Sequence, residues 1–142
     1  MNNLEWVALA TGAVLDDQVY CDGAWLMATD GERMHWSRQF DRAAGWYDPV
    51  TGDATNAEWW RLMQFDHVRA QYPGTSDGPL TPQRERGDYV QLAGRWYRRD
   101  HIDDLGEVRA SYVFPDGTLR ASTQHGEALV MPLVEIVDEP VN

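Results

Sequence analysis

The chain has 142 residues, which is the length of one domain that buries its own core. Its formal net charge is −11. The acidic charge repels phosphate at long range and argues against a simple basic nucleic-acid binder. A single cysteine, Cys21, excludes an internal disulfide framework. The sequence shows neither a signal-peptide pattern nor an apolar stretch of about 20 residues. We therefore expect a cytoplasmic protein with no membrane partner.

The first twenty residues predict a short helix and then an extended segment. Residues 4–10, "LEWVALA", have helix-forming composition, with Asn2 or Asn3 as the cap and Gly12 beyond the end. Residues 14–20 are typical of a strand or extended link, with a turn at Asp16-Asp17.

Residues 24–36, "AWLMATDGERMHW", predict a β-hairpin. Asp-Gly between alternating apolar runs is the strongest short-range signal for a two-residue turn, here Asp30-Gly31. This register places four apolar side chains on one face, in the pairs Trp25–Trp36 and Met27–Met34. The opposite face then carries the pairs Leu26–His35 and Ala28–Arg33.

Residues 41–88 predict a loop-rich insertion that contains one helix. Asp48-Pro49 and Thr51-Gly52 mark corners. Residues 57–72 predict this helix, with Asn56 as the cap and Pro73-Gly74 as the stop, because five residues lie at helical spacings: Trp59, Leu62, Met63, Asp66 and Arg69. Residues 73–88 carry three prolines and three glycines and predict an exposed loop or linker.

The last third predicts a strand and bend over residues 88–97, a short helix that ends at Gly106, and a three-stranded meander. A two-residue turn at Asp116-Gly117 would pair Phe114 with Leu119 and Tyr112 with Ala121 across the strands. His125-Gly126 marks the next turn. Both halves of the chain contain a short helix and a D-G hairpin, which permits weak internal duplication. The predicted fold is therefore α+β, with antiparallel sheets and two or three short helices.

No motif in the sequence indicates catalysis. All 12 basic residues are arginine, which excludes the lysine-containing phosphate loop, and the usual hydrolase and zinc patterns are missing. Cys21 is more typical of a small buried side chain than of a catalytic nucleophile. His101 and Asp104 lie three residues apart but lack a second half-site for a metal. We expect neither an enzyme, a cofactor nor a metal site.

A basic and aromatic cluster gives the chain its strongest nucleic-acid signal, since such residues contact phosphates and stack on bases. The cluster consists of Arg95, Trp96, Tyr97, Arg98, Arg99 and His101. Arg61 and Arg69 lie eight residues apart on the predicted long helix and share a face. The alternative, equally consistent with the sequence, is that these arginines pair with surface carboxylates.

The segment "LMATDGERMHW" resembles the "ATDGHRLA"-type hairpin of the bacterial DNA polymerase III beta sliding clamp family. Ala28, Thr29, Asp30, Gly31 and Arg33 match, whereas Met34 replaces leucine and Glu32 stands where the family often has histidine. Residues 94–105, "GRWYRRDHIDDL", are similar to the strand and helix before the family's final sheet, and "GEALVMPL" is similar to its closing strand. The similarity covers about half of the chain, in the order expected for one clamp domain.

The resemblance implies that residues 1–142 form a single clamp-like domain, with helices lining a ring channel, sheets outside and the insertion at about 41–88. The implied function is non-enzymatic: a DNA-associated protein, of phage or bacterial type, that supports replication processivity or recruits replication proteins. A bacterial clamp closes as a dimer of three-domain chains, so a ring of six such domains here requires a homohexamer.

The resemblance also implies two sets of binding residues. The residues expected to contact double-stranded DNA without sequence specificity are Arg98, Arg99, His101, Arg61 and Arg69. A DNA polymerase or another replication protein is expected to dock a short apolar peptide near Leu129, Val130, Met131, Pro132 and Leu133.

The rival hypothesis is an acidic interaction protein, such as a phage-encoded inhibitor or decoy of a host protein. In that case Trp59, Trp60 and acidic patches form the interface, and the hairpins serve only as scaffold. A third alternative is a small enzyme that uses His101 or Cys21.

Overall fold

A computed structural model of the chain describes residues 1–11, 18–39, 41–55, 65–74 and 78–133. The predictions for the Asp16-Asp17 turn and for residues 57–64, with Trp59, Trp60 and Arg61, lie outside these ranges. The helices are α1 (Asn3–Ala8), a 3-10 helix (Leu9–Thr11), α2 (Phe65–Gln71) and α3 (Arg99–Asp103). The strands are β1 (Val19–Cys21), β2 (Trp25–Thr29), β3 (Arg33–Arg38), β4 (Gly45–Tyr47), β5 (Ala54–Thr55), β6 (Arg84–Arg86), β7 (Tyr89–Leu92), β8 (Arg95–Arg98), β9 (Val108–Val113), β10 (Leu119–Thr123) and β11 (Glu127–Val130).

The strands form two antiparallel sheets, which confirms the predicted α+β class with antiparallel sheets and short helices. The large sheet has the order β5-β4-β1-β2-β3-β11-β10-β9, and the small one the order β6-β7-β8. Within the large sheet, two meanders meet where β3 pairs antiparallel with β11. Each meander follows a helix in the chain, α1 before β1-β2-β3 and α3 before β9-β10-β11, and the strand order of these two units is symmetrical about the β3–β11 pair.

Helix α1 forms where the sequence predicts it, because its first turn is capped. The Asn2 side chain accepts a hydrogen bond from the Glu5 amide at 2.7 Å, and the Glu5 carboxylate accepts one from the Asn2 amide at 2.8 Å. This reciprocal arrangement satisfies two amides that the helix leaves without internal partners. Leu4, Trp6 and Val7 are buried and anchor the helix on the sheet.

Both faces of the large sheet are covered. The main core contains the apolar face of α1, the inner face of the small sheet and Leu105 beyond the end of α3. On the opposite face a smaller cluster packs Phe65 of α2 against Met27, Trp36 and Leu129. Helices α1 and α3 therefore lie on one side of the large sheet, and α2 lies on the other.

The register of the β2–β3 hairpin differs from the prediction by two residues. Met27 pairs with Trp36 and Thr29 with Met34, so Gly31-Glu32 forms the turn. Gly31 takes the first position of this turn with φ +93°. A two-residue turn with glycine at its first position does not require a positive φ at its second, here Glu32. Because side chains alternate between the two faces of a strand, a register shift of two residues keeps the four predicted apolar side chains on one face of the sheet. The opposite face now pairs Ala28 with His35 and Leu26 with Ser37.

The predicted register of the β9–β10 hairpin is wrong by one residue. Leu119 pairs with Val113 rather than Phe114, and Ala121 pairs with Ser111 rather than Tyr112. Pro115 joins Asp116 and Gly117 in a three-residue loop, closed by a hydrogen bond from the Phe114 amide to the Thr118 carbonyl at 2.9 Å. Gly117 has φ +91°, as the last position of such a loop requires.

The prediction of a loop over residues 73–88 is wrong in part, because β6 lies within it. Arg84, Glu85 and Arg86 pair with the first three residues of β7. All three β6 side chains are exposed, so backbone pairing with β7, rather than an apolar pattern, makes this edge strand.

Candidate nucleic-acid interface

Two predicted contact residues, Arg98 and Arg99, lie at the surface where β8 leads into α3. Arg98 Nε donates to Asp100 Oδ1 at 3.3 Å, and this hydrogen bond raises the pKa of the Arg98 guanidinium. Arg99 pairs with Glu85, and its Nη2 donates to the Gly87 carbonyl at 2.8 Å. The structure thus brings both cations together, each with a carboxylate partner.

His101, the third residue of this predicted set, is only 4% exposed. Its Nε2 lies 3.8 Å from Asp30 Oδ2 and 4.0 Å from Glu32 Oε1, and its Nδ1 is buried without a hydrogen-bond partner. Burial, followed by the positive charge of Arg33, lowers the pKa of His101. The ring faces the interior, and a duplex at the surface does not reach it in this conformation.

A buried arginine fixes α3 against the β2–β3 turn. Arg33 is 5% exposed, and it donates through Nε to Asp30 Oδ2 at 3.2 Å and through Nη1 to Asp104 Oδ2 at 2.6 Å. Asp30 Oδ1 also accepts the backbone amides of Glu32 and Arg33 at 2.8 and 3.0 Å. Sequence reasoning misses this network, because Arg33 and Asp104 lie 71 residues apart with no local signal to connect them.

A second buried pair joins α1 to β3. His35 is fully buried, its Nδ1 donates to the Trp6 carbonyl at 3.0 Å, and its ring stacks on the Trp6 indole at a centroid distance of 4.2 Å. Trp6 Nε1 in turn donates to the Leu105 carbonyl at 3.2 Å, beyond the end of α3. Burial lowers the pKa of His35 to about 4, although the hydrogen bond to Trp6 acts to raise it. His35 is therefore neutral at pH 7 and serves as a packing group.

Arg69 lies far from Arg98 and Arg99, because α2 covers the opposite face of the large sheet. Its guanidinium pairs with Asp66 at 3.1 Å and lies 4.6 Å from the centroid of the Trp25 ring. Arg61, its predicted partner on the same helix face, lies outside the described residues.

The predicted peptide-docking segment is buried in its first half. Leu129 is 4% exposed beneath α2, and Val130 is fully buried in the main core. Met131 is 52% exposed, and its amide donates to the Glu32 carbonyl at 2.9 Å. Within this segment, Met131 is the side chain that a partner can reach most readily.

The described residues offer little reactive chemistry. Cys21 is fully buried, as predicted for a small core residue, and burial raises the pKa of its thiol. No three histidine, cysteine, aspartate or glutamate side chains in the described ranges are placed to hold a metal ion. In the same ranges, no helix has the length and apolar character to cross a bilayer.

No protein-family model, curated protein or solved structure matches the chain.

Proposed function

We propose that the chain is a non-enzymatic, sliding-clamp-like protein that associates with double-stranded DNA and supports replication processivity or recruits replication proteins. The symmetrical strand order of the large sheet, with α1 and α3 on one side of it, carries this proposal. Two units of one helix and three antiparallel strands meet at β3 and β11, and their helices lie on one side of the sheet. Helices on one side of the sheet fit what the resemblance implies for a clamp domain, in which helices line the ring channel and the sheets lie outside.

Arg98 and Arg99 supply the proposed DNA contact from the helix side of the sheet. Their partners Asp100 and Glu85 are themselves exposed, with side chains 59% and 56% accessible. Exposed ion pairs are weak because water and salt screen them, so a DNA phosphate replaces either carboxylate at little cost. Contacts to phosphates alone carry no sequence information, so the proposed binding is independent of sequence.

Retention on DNA and mass in solution together test the proposal. We expect the protein to form a ring-sized oligomer and to bind a labelled duplex at low salt. Replacing two phosphate contacts in the variant R98Q/R99Q reduces the slope of log K against log salt by roughly 1.8. The matched control R38Q/R109Q removes the same charge from exposed positions on β3 and β9 and leaves the slope unchanged. A monomer without affinity for duplex DNA at low salt would overturn the proposal.

One observation favours the rival function, an acidic interaction protein that binds another protein. Arg98 and Arg99 both have carboxylate partners already, as expected if they only stabilise an acidic surface. On this hypothesis R98Q/R99Q and R38Q/R109Q behave alike towards duplex DNA, and the same titration separates the two functions.

A further inference from the structure

The small sheet has one buried face and one face that is open to solvent. Val90, Leu92 and Tyr97 point into the main core and are at most 3% exposed. Because side chains alternate along a strand, their neighbours point outward, and the register aligns these neighbours across all three strands. The outward positions are Arg84, Arg86, Tyr89, Gln91, Trp96 and Arg98.

These six outward positions have a charge opposite to that of the whole protein. The chain has 23 acidic and 12 basic residues, yet this face has three arginines and no carboxylate of its own. Glu85, the one acidic residue of β6, is on the inward side of the register and pairs with Arg99. Asp100 reaches Arg98 from α3, at the edge of the face. The small sheet thus presents a local cationic surface on an acidic protein.

Two aromatic rings lie between these arginines. Tyr89 is 38% exposed, and Trp96 is half-buried with the Arg84 guanidinium carbon 5.9 Å from its ring centroid. Tyr89 pairs with Arg98 and Trp96 pairs with Gln91, so the two rings are diagonal neighbours on adjacent strands. Diagonal positions of this kind are about 7–8 Å apart, which lets two successive bases each contact one ring.

We propose that the outward face of the small sheet binds single-stranded nucleic acid without sequence preference. The arginines neutralise the phosphates, and Tyr89 and Trp96 stack on the bases, the two contributions that define such platforms. A duplex fits this face poorly, because its bases are already stacked and cannot offer their faces to the rings. An acidic peptide could satisfy the arginines but gains nothing comparable from the rings.

This platform is separate from the proposed duplex contact, and the two share only Arg98 at their boundary. Arg84, Tyr89 and Trp96 lie on the small sheet and take no part in the large one. Variants at Arg84 and Tyr89 therefore test the platform alone.

The test measures fluorescence anisotropy of a labelled oligothymidylate of about 12 nucleotides and of a duplex of equal length. We expect the single strand to bind more tightly than the duplex. The variant Y89A weakens single-strand binding by about 5- to 150-fold, the effect of one lost stacking contact, whereas Y89F retains it. The variant R84Q reduces the salt slope by roughly 0.7, and R109Q, a matched exposed arginine on β9, does not.

Three results would overturn the inference: no affinity for the single strand, equal affinity of Y89A and the unmodified protein, or equal competition by a glutamate-rich peptide of the same charge. Equal competition by the peptide would mean that the outward face of the small sheet binds anions in general and does not select nucleic acid. Single-strand binding that persists in a monomer without duplex affinity supports the platform and rejects the clamp, so the two proposals fail separately.

Discussion

Lowering the pH is expected to destabilise the protein through His35. The folded protein holds this ring neutral, with a pKa lowered from 6.5 to about 4 by burial against Trp6. One pKa unit corresponds to about 1.4 kcal/mol, so the full shift is worth about 3 kcal/mol of unfolding free energy. For a domain whose total stability is about 5–15 kcal/mol, a change of this size is easily measured.

The sign follows from where the proton binds. Between pH 6.5 and about 4 the unfolded chain protonates His35 and the folded chain does not, so the unfolding free energy falls as the pH falls. Linkage gives a loss of about 2 kcal/mol between pH 7 and pH 5 from this group alone. The pKa of His101 is also lowered, first by burial, so its contribution has the same sign.

Urea unfolding at pH 7 and at pH 5 measures this loss directly. The variant His35→Asn removes the titrating ring and keeps an amide that can donate to the Trp6 carbonyl, so the pH-dependent loss shrinks by about 2 kcal/mol. The control His67→Asn makes the same substitution at an exposed position on α2 and shows what the exchange does outside the core. If His35→Asn loses as much stability as the unmodified protein between pH 7 and pH 5, the buried neutral histidine is not the cause.

Two further substitutions test the packing that positions α3 and β11. Gly126→Ala would place its Cβ 2.2 Å from the Trp36 carbonyl oxygen and should cost about 1–3 kcal/mol in urea unfolding, more than Gly23→Ala, where nothing lies within 4 Å. Arg33→Met should lower the unfolding free energy by about 2–3 kcal/mol. This is less than the roughly 3–5 kcal/mol usual for a broken buried ion pair, because the carboxylates of Asp30 and Asp104 remain partly accessible to water. Combining Arg33→Met with Asp104→Asn should recover part of that loss, and a strictly additive double variant would contradict the network.

The two hairpins show which features of a sheet can be predicted from sequence. Alternation correctly groups Trp25, Met27, Met34 and Trp36 on one face, because burial depends on parity and tolerates an even shift. The exact partners depend on which residue takes the positive φ in the turn, and an Asp-Gly pair allows more than one choice. In the β9–β10 hairpin the added Pro115 changes parity, so Tyr112 and Leu119 fall on opposite faces rather than near one another.

The candidate interface was predictable only at the level of composition. The sequence identifies a basic and aromatic segment, and the structure places Arg98 and Arg99 of that segment at the surface. Local sequence does not reveal that His101 turns inward, since its burial results from packing against Asp30 and Arg33, about 70 residues earlier. The contribution of Arg84 was missed for a similar reason, because β6 joins the face through backbone pairing alone.

The residues that carry the clamp resemblance have structural roles in this chain. Asp30 caps the β2–β3 turn, Gly31 supplies its positive φ, and Arg33 is buried between Asp30 and Asp104. Because Arg33 ties this turn to the end of α3, the same residues that form the hairpin also set the position of the helix that starts with Arg99. Loss of DNA affinity in an Arg33 variant would therefore reflect displacement of α3, and only substitutions at exposed arginines can report a direct phosphate contact.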